Sequence, residues 1–205
     1  DGMSLDLSPV TLAGRRVTLV PLAAAHGPGL EQAIGSAPVF RYFGGLPAQD
    51  ATAVPEFLRI AENMVAAKTA IPFCTLDTET GQPIGSTRFG NIDAAHKRVE
   101  IGWTFIVPSH QRSGANREAK YLMLRYAFET LGCVRVELKT HHLNQQSRTA
   151  IAALGGIEEG ILRNHMIMSD GSLRHSVVFS ILPEEWPALK ARLEGQLYPD
   201  GKIPA

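Results

Sequence analysis

Val107-Pro108-Ser109-His110-Gln111-Arg112-Ser113-Gly114-Ala115-Asn116-Arg117-Glu118-Ala119 is the stretch whose reading decides the fold. It joins two patterns of different kind. Upstream, Arg98 to Val107 alternates, which predicts a strand with Val99, Ile101, Trp103, Phe105 and Val107 on one face and Glu100 on the polar face. Downstream, Ala119, Leu122, Met123, Tyr126, Ala127 and Thr130 recur at helical spacing, which predicts a helix from Asn116 to Leu131 stopped by Gly132. A strand end, a polar Gly-containing loop and a helix start aim unpaired N–H groups outward at the positive end of the helix. Such an end seats a phosphate or pyrophosphate, and Arg112 and Arg117 add charge-assisted bonds. The other reading is an ordinary loop capped by Ser113 or Asn116. The loop lacks the Lys and second Gly of the P-loop and the three glycines of the dinucleotide fingerprint, so neither of those nucleotide cradles is expected.

Working outward, Gly14 to Pro21 alternates and stops at proline, a first strand. Ala23 to Gly35 reads as a short helix interrupted by Gly27, Pro28 and Gly29. Glu56 to Lys68 carries Phe57, Ile60, Ala61, Met64 and Val65 at helical spacing, with Pro55 in its first turn. Strands follow at Phe73 to Asp77 and Pro83 to Asn91, with links short enough for antiparallel hairpins. Beyond the helix come a strand from Val134 to Thr140 and a helix from Asn144 to Leu154 ended by Gly155-Gly156. A hairpin of Ile157 to Met168 with Ser172 to Leu182 turns at Asp170-Gly171. The last helix, Glu184 to Leu197, has an apolar stripe of Trp186, Leu189, Leu193 and Leu197, which either packs on the sheet or builds a homodimer contact. The strand-helix-strand unit from Arg98 to Thr140 needs a crossover, so at least one strand pair is parallel. The fold class is therefore α+β: a mixed, mostly antiparallel twisted sheet of about seven strands with flanking helices.

The chain has 205 residues, 44% of them hydrophobic and 20% charged, which suits one soluble domain over 3–205 with 184–205 as its C-terminal helix and tail. Asp1 and Gly2 precede Met3 and read as an expression scar. Lys+Arg and Asp+Glu are 20 each, so a nucleic-acid partner, which calls for a basic excess, is not expected. No apolar run reaches the roughly 18 residues of a membrane span. No charged-then-apolar leader is found, and the expected setting is cytoplasmic. Cys74 and Cys133 are too few for a disulfide framework and read as buried structural thiols. His141 and His142, as strand neighbours, point to opposite faces, and no ligand cluster supports them, so no metal is expected.

Gln111-x-x-Gly114-x-Asn116 resembles the Q/R-x-x-G-x-G/A signature of the GCN5-related N-acetyltransferases, with Asn116 where Gly or Ala is usual. Val99-Glu100-Ile101-Gly102-Trp103 resembles that family's fourth strand. Asn144-x-x-Ser147, Leu154-Gly155-Gly156, Glu159-Gly160-x-Leu162-Arg163, the Asp170-Gly171 turn and the opening Gly14 to Leu19 resemble its ribosomal-protein N-acetyltransferase branch. The likeness runs from Thr11 to Leu182.

That resemblance implies transfer of an acetyl group from acetyl-CoA to an amine by direct attack in a ternary complex, with no enzyme nucleophile. It implies a pyrophosphate cradle at Gln111, Arg112, Ser113, Gly114, Ala115, Asn116 and Arg117. It also implies splayed central parallel strands, with backbone groups of Phe105, Ile106 and Val107 facing the pantetheine and acetyl group. Asn144 and Arg148 are implied coenzyme contacts, and Ser147 both a contact and the donor to the departing thiolate. The amine must lose a proton, and Glu100 is the first candidate base, His165 the second. Plain readings stand beside these: Glu100 as a solvated or ion-paired strand residue, His165 as a polar or substrate contact, and Ser147 or Asn144 as a cap of the helix. A protein or peptide α-amine is the favoured acceptor. A small-molecule amine, or a coenzyme-binding module without turnover, are the alternatives. The segments from Ala37 to Pro55 and Asn91 to Lys97 are the expected acceptor loops.

Overall fold

Eight strands and five α-helices are described in the computed structural model, which covers residues 4–46 and 50–205. The strands are β1 (Leu12–Ala13), β2 (Val17–Pro21), β3 (Ile71–Asp77), β4 (Pro83–Asp93), β5 (Arg98–Ile106), β6 (Arg135–His141), β7 (Ile157–Ile167) and β8 (Leu173–Ile181). The helices are α1 (Gly27–Ile34), α2 (Ala53–Ala66), α3 (Ala115–Arg125), α4 (Gln145–Leu154) and α5 (Trp186–Leu197). One sheet holds all strands in the order β1-β2-β3-β4-β5-β6-β8-β7. Every neighbouring pair is antiparallel except β5 with β6, the predicted crossover pair. The mixed sheet agrees with expectation; the two-residue β1 adds an eighth strand too short to leave an alternating signal. Asp1 and Gly2, and positions 47–49 of the expected acceptor loop, lie outside the described residues.

Alternation decides which helices cover which face. Val17, Leu19, Phe73, Phe89, Val99, Ile101, Val136, Leu138, Val177 and Phe179 are buried on the face that α3, α4 and α5 cover. The opposite face, under α1 and α2, is aromatic around Phe57. The stripe Trp186, Leu189, Leu193 and Leu197 is buried in this core, so of its two readings the structure takes packing. Exposed apolar side chains lie instead at the sheet edge, on β7, where Ile157, Ile161 and Ile167 face solvent. α2 begins three residues before the predicted Glu56, because Pro55 is tolerated inside a first turn. The helix predicted to Leu131 does run on, but from Tyr126 to Thr130 it widens into a π-turn. No described helix is long and apolar enough to cross a membrane.

β5 departs from simple alternation. The β4–β5 register slips between Ser86 and Arg88, and Trp103 takes φ +52°. This bulge sets two residues against one and flips the faces beyond it. Val99 and Ile101 stay under α3, whereas Trp103 and Phe105 turn to Phe57 and Phe43 on the other side. The single apolar face predicted for the strand is therefore divided between two cores.

α3 is fastened to the rest by Glu118, which is fully buried. Its carboxylate accepts the backbone N–H groups of Arg15 (3.1 Å), Arg16 (2.7 Å) and Val17 (2.9 Å), and the Tyr198 hydroxyl at 2.6 Å. Gly14 permits the approach, since a Cβ there would lie 2.4 Å from Glu118 Oε1. Removing the carboxylate strands three backbone donors, each costing about 1–3 kcal/mol when left unpaired. Glu118→Ala is expected to lower the unfolding free energy by about 3 kcal/mol or more in urea titrations, and Gly14→Ala to lower it as well.

Candidate functional site

The chain leaves β5 through a 3-10 turn, Pro108–His110, and reaches α3 through Gln111 to Gly114. His110 Nε2 is tied to Asp77 Oδ2 at 2.8 Å, and that bond holds the Asp77 carboxyl below its usual range. Arg112 and Gly114 both have left-handed backbone, φ +59° and +87°. Such a turn makes a concave row of N–H groups. Ser113 Oγ donates to His110 O and accepts the Ala115 N–H at 3.3 Å, while Arg16 Nη1 grips Ser113 O at 2.8 Å. Among the described residues, the N–H groups of Arg112, Ser113, Gly114, Asn116 and Arg117 have no intramolecular acceptor. The arginines and Asn116 are exposed around them. The predicted set thus meets at one helix entrance, seated for an anion. The Gln111 side chain is already engaged, with Nε2 donating to Ile106 O at 2.8 Å.

Beside this loop the sheet opens. β5 and β6 pair only from Arg98↔Arg135 to Ile101↔Leu138, after which β5 continues to Ile106 without β6. The side chains of Phe105, Ile106 and Val107 are buried, and Val107 N–H is spent on Ile84 O at 2.8 Å. Lys120, on α3, points at the same stretch: its Nζ donates to Thr104 Oγ1 at 2.9 Å, which is bonded to Thr87 Oγ1 at 2.8 Å. Burial brings the Lys120 ammonium down to about 8. Sequence reading missed this lysine, because a Lys on a helix ordinarily means a solvated face.

Across the sheet, on the face opposite α3, stands a polar group. Glu100 Oε2 accepts from Asn91 Nδ2 at 2.6 Å and from Lys139 Nζ at 3.1 Å. Lys139 also reaches Glu137 at 3.3 Å; burial lowers its pKa, but the two carboxylates outweigh that and leave it raised. Glu100 Oε1 forms no hydrogen bond among the described residues and is the carboxylate's open acceptor. His165 is on the same face, its Nδ1 at 2.7 Å from Ser176 Oγ. Ser176 Oγ accepts from Arg174 Nε at 2.9 Å, so its own proton is free to point at Nδ1. Burial, with Lys139 and Arg174 nearby, lowers the His165 pKa and favours the neutral ring. Arg174 Nη1 also holds Tyr42 O at 3.0 Å, which ties the segment after α1 to this face.

Asn144, Ser147 and Arg148 sit together at the entry of α4. Asn144 Oδ1 accepts the Ser147 N–H at 3.2 Å, so of the two cap readings the structure takes Asn144 and not Ser147, whose half-buried hydroxyl is left over. Arg148 is directed to His142 O at 3.2 Å and Glu158 at 3.6 Å. These residues are not grouped with Glu100 and His165. His141 and His142 do not splay apart as strand neighbours would: β6 ends at His141, the chain turns, and the rings stack at 4.6 Å. No group of His, Cys, Asp and Glu among the described residues is arranged for a metal ion. Both cysteines are buried, with thiols pushed up to about 12 (Cys74) and about 11 (Cys133) by desolvation.

A family model described as an acetyltransferase (GNAT) domain matches residues 16–157. YdaF of Bacillus subtilis (strain 168), a protein proposed to be a ribosomal N-acetyltransferase, is 29% identical over 111 residues, 54% of this chain and 59% of that protein. The chain covers only about 60% of the curated relatives it matches. A GCN5-related N-acetyltransferase from Brucella melitensis is 31% identical with a TM-score of 0.86, over 97% of this chain and 90% of that one. Mycobacterium smegmatis RimJ, solved in complex with CoA-disulfide, is 22% identical with a TM-score of 0.73 over 92% of each chain, a likeness of fold.

The histidines set an acid limit on the site. His141 is 5% exposed, and its Nδ1 accepts the Leu143 N–H at 3.0 Å. Burial, then the neighbouring His142, Arg174, His175 and Arg41, push it down to about 4. An unfolded histidine titrates at about 6.5. Between that value and about 4 the unfolded chain binds a proton the folded chain refuses, so stability falls as pH drops through this window. Thermal melts are expected to show a lower Tm at pH 5 than at pH 7, and a smaller drop in His141→Gln.

Proposed function

Because the chain belongs to the acetyltransferase (GNAT) family, we propose that it moves an acetyl group from acetyl-CoA to a primary amine by direct attack in a ternary complex. The observation that carries this reading is the row of unpartnered N–H groups from Arg112 to Arg117, opening beside the gap where β5 leaves β6. Those amides, with Arg112 and Arg117, suit the pyrophosphate of the coenzyme. The gap leaves backbone groups of β5 free to bond the pantetheine and to receive developing charge on the acetyl oxygen. Asn144 and Arg148 stand as further coenzyme contacts at the α4 entry.

On the acceptor side, Glu100 is the residue we assign to the amine. Its open Oε1 can take the ammonium proton directly or through water. Lys139 and Asn91 hold the other oxygen and fix the carboxylate's orientation. His165, tied to Ser176 Oγ through Nδ1, is assigned a positioning or substrate-contacting role. For the departing thiolate, Ser147 has a second contender in Lys120, whose lowered pKa and place at the gap suit a proton donor.

The branch likeness and the name of YdaF support a protein or peptide α-amine as acceptor. An α-amine near pKa 8 is neutral about one time in ten at pH 7, against roughly one in ~10³ for lysine, so it asks less of a base. Residues 3–205 act as one domain in this reading. Self-association, where it occurs, falls to the exposed edge strand β7 rather than to α5.

Thiol release from acetyl-CoA is measured against a panel of N-terminal peptides and small amines. Turnover with at least one acceptor is expected, and Glu100→Gln should lower kcat/KM about 100-fold near neutral pH. The loss should shrink at high pH, where the amine is already neutral, and calorimetric affinity for coenzyme A should not change. Coenzyme binding with no thiol release from any amine would instead identify a binding module.

A further inference from the structure

Arg88 lies on β4 under α2 and is fully buried. Its guanidinium packs against two rings, Cζ standing 4.7 Å from the Phe57 centroid and 4.5 Å from that of Trp103, the rings themselves 6.1 Å apart. Nη1 donates to Met64 Sδ at 3.3 Å. Nε and Nη2 have no partner at all among the described residues. Burial brings the group down to about 9, so it keeps its charge at neutral pH. Aromatic faces offset part of the desolvation cost of a cation, yet they do nothing for in-plane N–H donors. A buried charge without an acceptor is a rare and costly feature that calls for an explanation.

The two orphaned atoms are not an arbitrary pair. Nε–H and the Nη2–H beside it form one edge of the planar fork, and that edge takes a carboxylate side-on through two parallel bonds. The far nitrogen is occupied by Met64 and the rings lie against the guanidinium, which leaves the bidentate edge as the buried, unpartnered part of the fork. Arg88 sits opposite Gly102 in the β4–β5 register, one pair along from Gly90↔Glu100 on the same face. The fork therefore belongs to the side of the sheet where the open oxygen of Glu100 stands. Phe43 and Trp103, the half-buried members of the cluster, form its border with solvent.

We propose that Arg88 is a carboxylate socket of the acceptor site, and that the acceptor carries a carboxylate near the amine it presents to Glu100. The proposal rests on the acetyl-transfer reading above and narrows its substrate class. The carboxylate belongs either to a free amino acid or to an acidic residue near a peptide N-terminus. The bulge at Trp103 supports the socket, because it turns that half-buried ring onto the guanidinium as the border between the buried edge and solvent.

The test compares acceptors as carboxylates and as carboxamides, in two arms: free amino acids, and dipeptides with Asp or Glu second. Arg88→Met keeps the volume and removes the fork. With it, KM for a carboxylate acceptor should rise about 10–100-fold while KM for the matching carboxamide stays unchanged. The arm that shows the contrast identifies the source. Arg88→Lys, which keeps the charge without the fork, should lose the same contrast and covers a failure of Arg88→Met to fold. A second readout needs no turnover: with coenzyme A present, glutarate should raise the Tm of the wild type and not that of either variant. Equal effects of the substitutions on carboxylates and carboxamides, or no Tm response of the wild type to glutarate, overturn the socket. Absence of thiol release from every acceptor overturns the acetyl-transfer reading, while the Tm arm still judges Arg88.

Discussion

The contact on which the arrangement depends is the buried carboxylate of Glu118. It gathers three amides of the β1–β2 turn and the Tyr198 hydroxyl, joining the first strands, the central helix and the C-terminal segment at one point. A carboxylate that accepts four hydrogen bonds in a buried setting is worth far more than a surface ion pair, and its loss strands three backbone donors. The consequence for function is positional. Glu118 is one helical turn beyond Gly114, and Arg16, from the same clamped turn, holds Ser113 O. The amides that open toward an anion are therefore held from below by the core, and little of their order is spent at the moment a ligand arrives.

A second constraint is the bulge at Trp103. One extra residue in β5 frees that strand from β6 and opens the gap beside the loop. It also exchanges the faces of Trp103 and Phe105, which builds the aromatic cluster around Arg88. The positive φ of a tryptophan is strained, and such strain persists only where surrounding packing over-determines it. Phe43, Phe57 and Arg88 provide that packing. The β5–β6 gap and the aromatic cluster thus share one backbone irregularity, with Lys120 on one side of the sheet and Glu100 on the other.

The polar face is balanced rather than strongly charged. Glu100, Glu137 and Glu159 are answered by Lys139 and Arg135, and Arg174 is shared between Ser176 and Tyr42. Zero formal net charge of the whole chain conceals this local organisation. Two groups stand outside the balance, the open oxygen of Glu100 and the buried, unpartnered edge of Arg88. They are of opposite sign, and a ligand bearing both an amine and a carboxylate answers both.

Most of the element order was legible in the amino-acid sequence, because it follows from local periodicity: alternation before Val107, helical spacing after Ala119, and Gly or Pro at the joins. The anion-seating loop was legible for the same reason, since a helix entry after a strand exposes its amides whatever surrounds it. The two-residue β1 was too short to show a period, and the facing of Trp103 and Phe105 was misread because a bulge interrupts alternation without a marker residue. What only the tertiary structure decided is which polar side chains are spent and which are open. Gln111 is engaged by Ile106, His165 is paired with Ser176, and Arg88 is buried against rings contributed by α2 and β5. Each of those states depends on partners distant along the chain, and desolvation and hydrogen-bond satisfaction come into being only when folding brings such partners together.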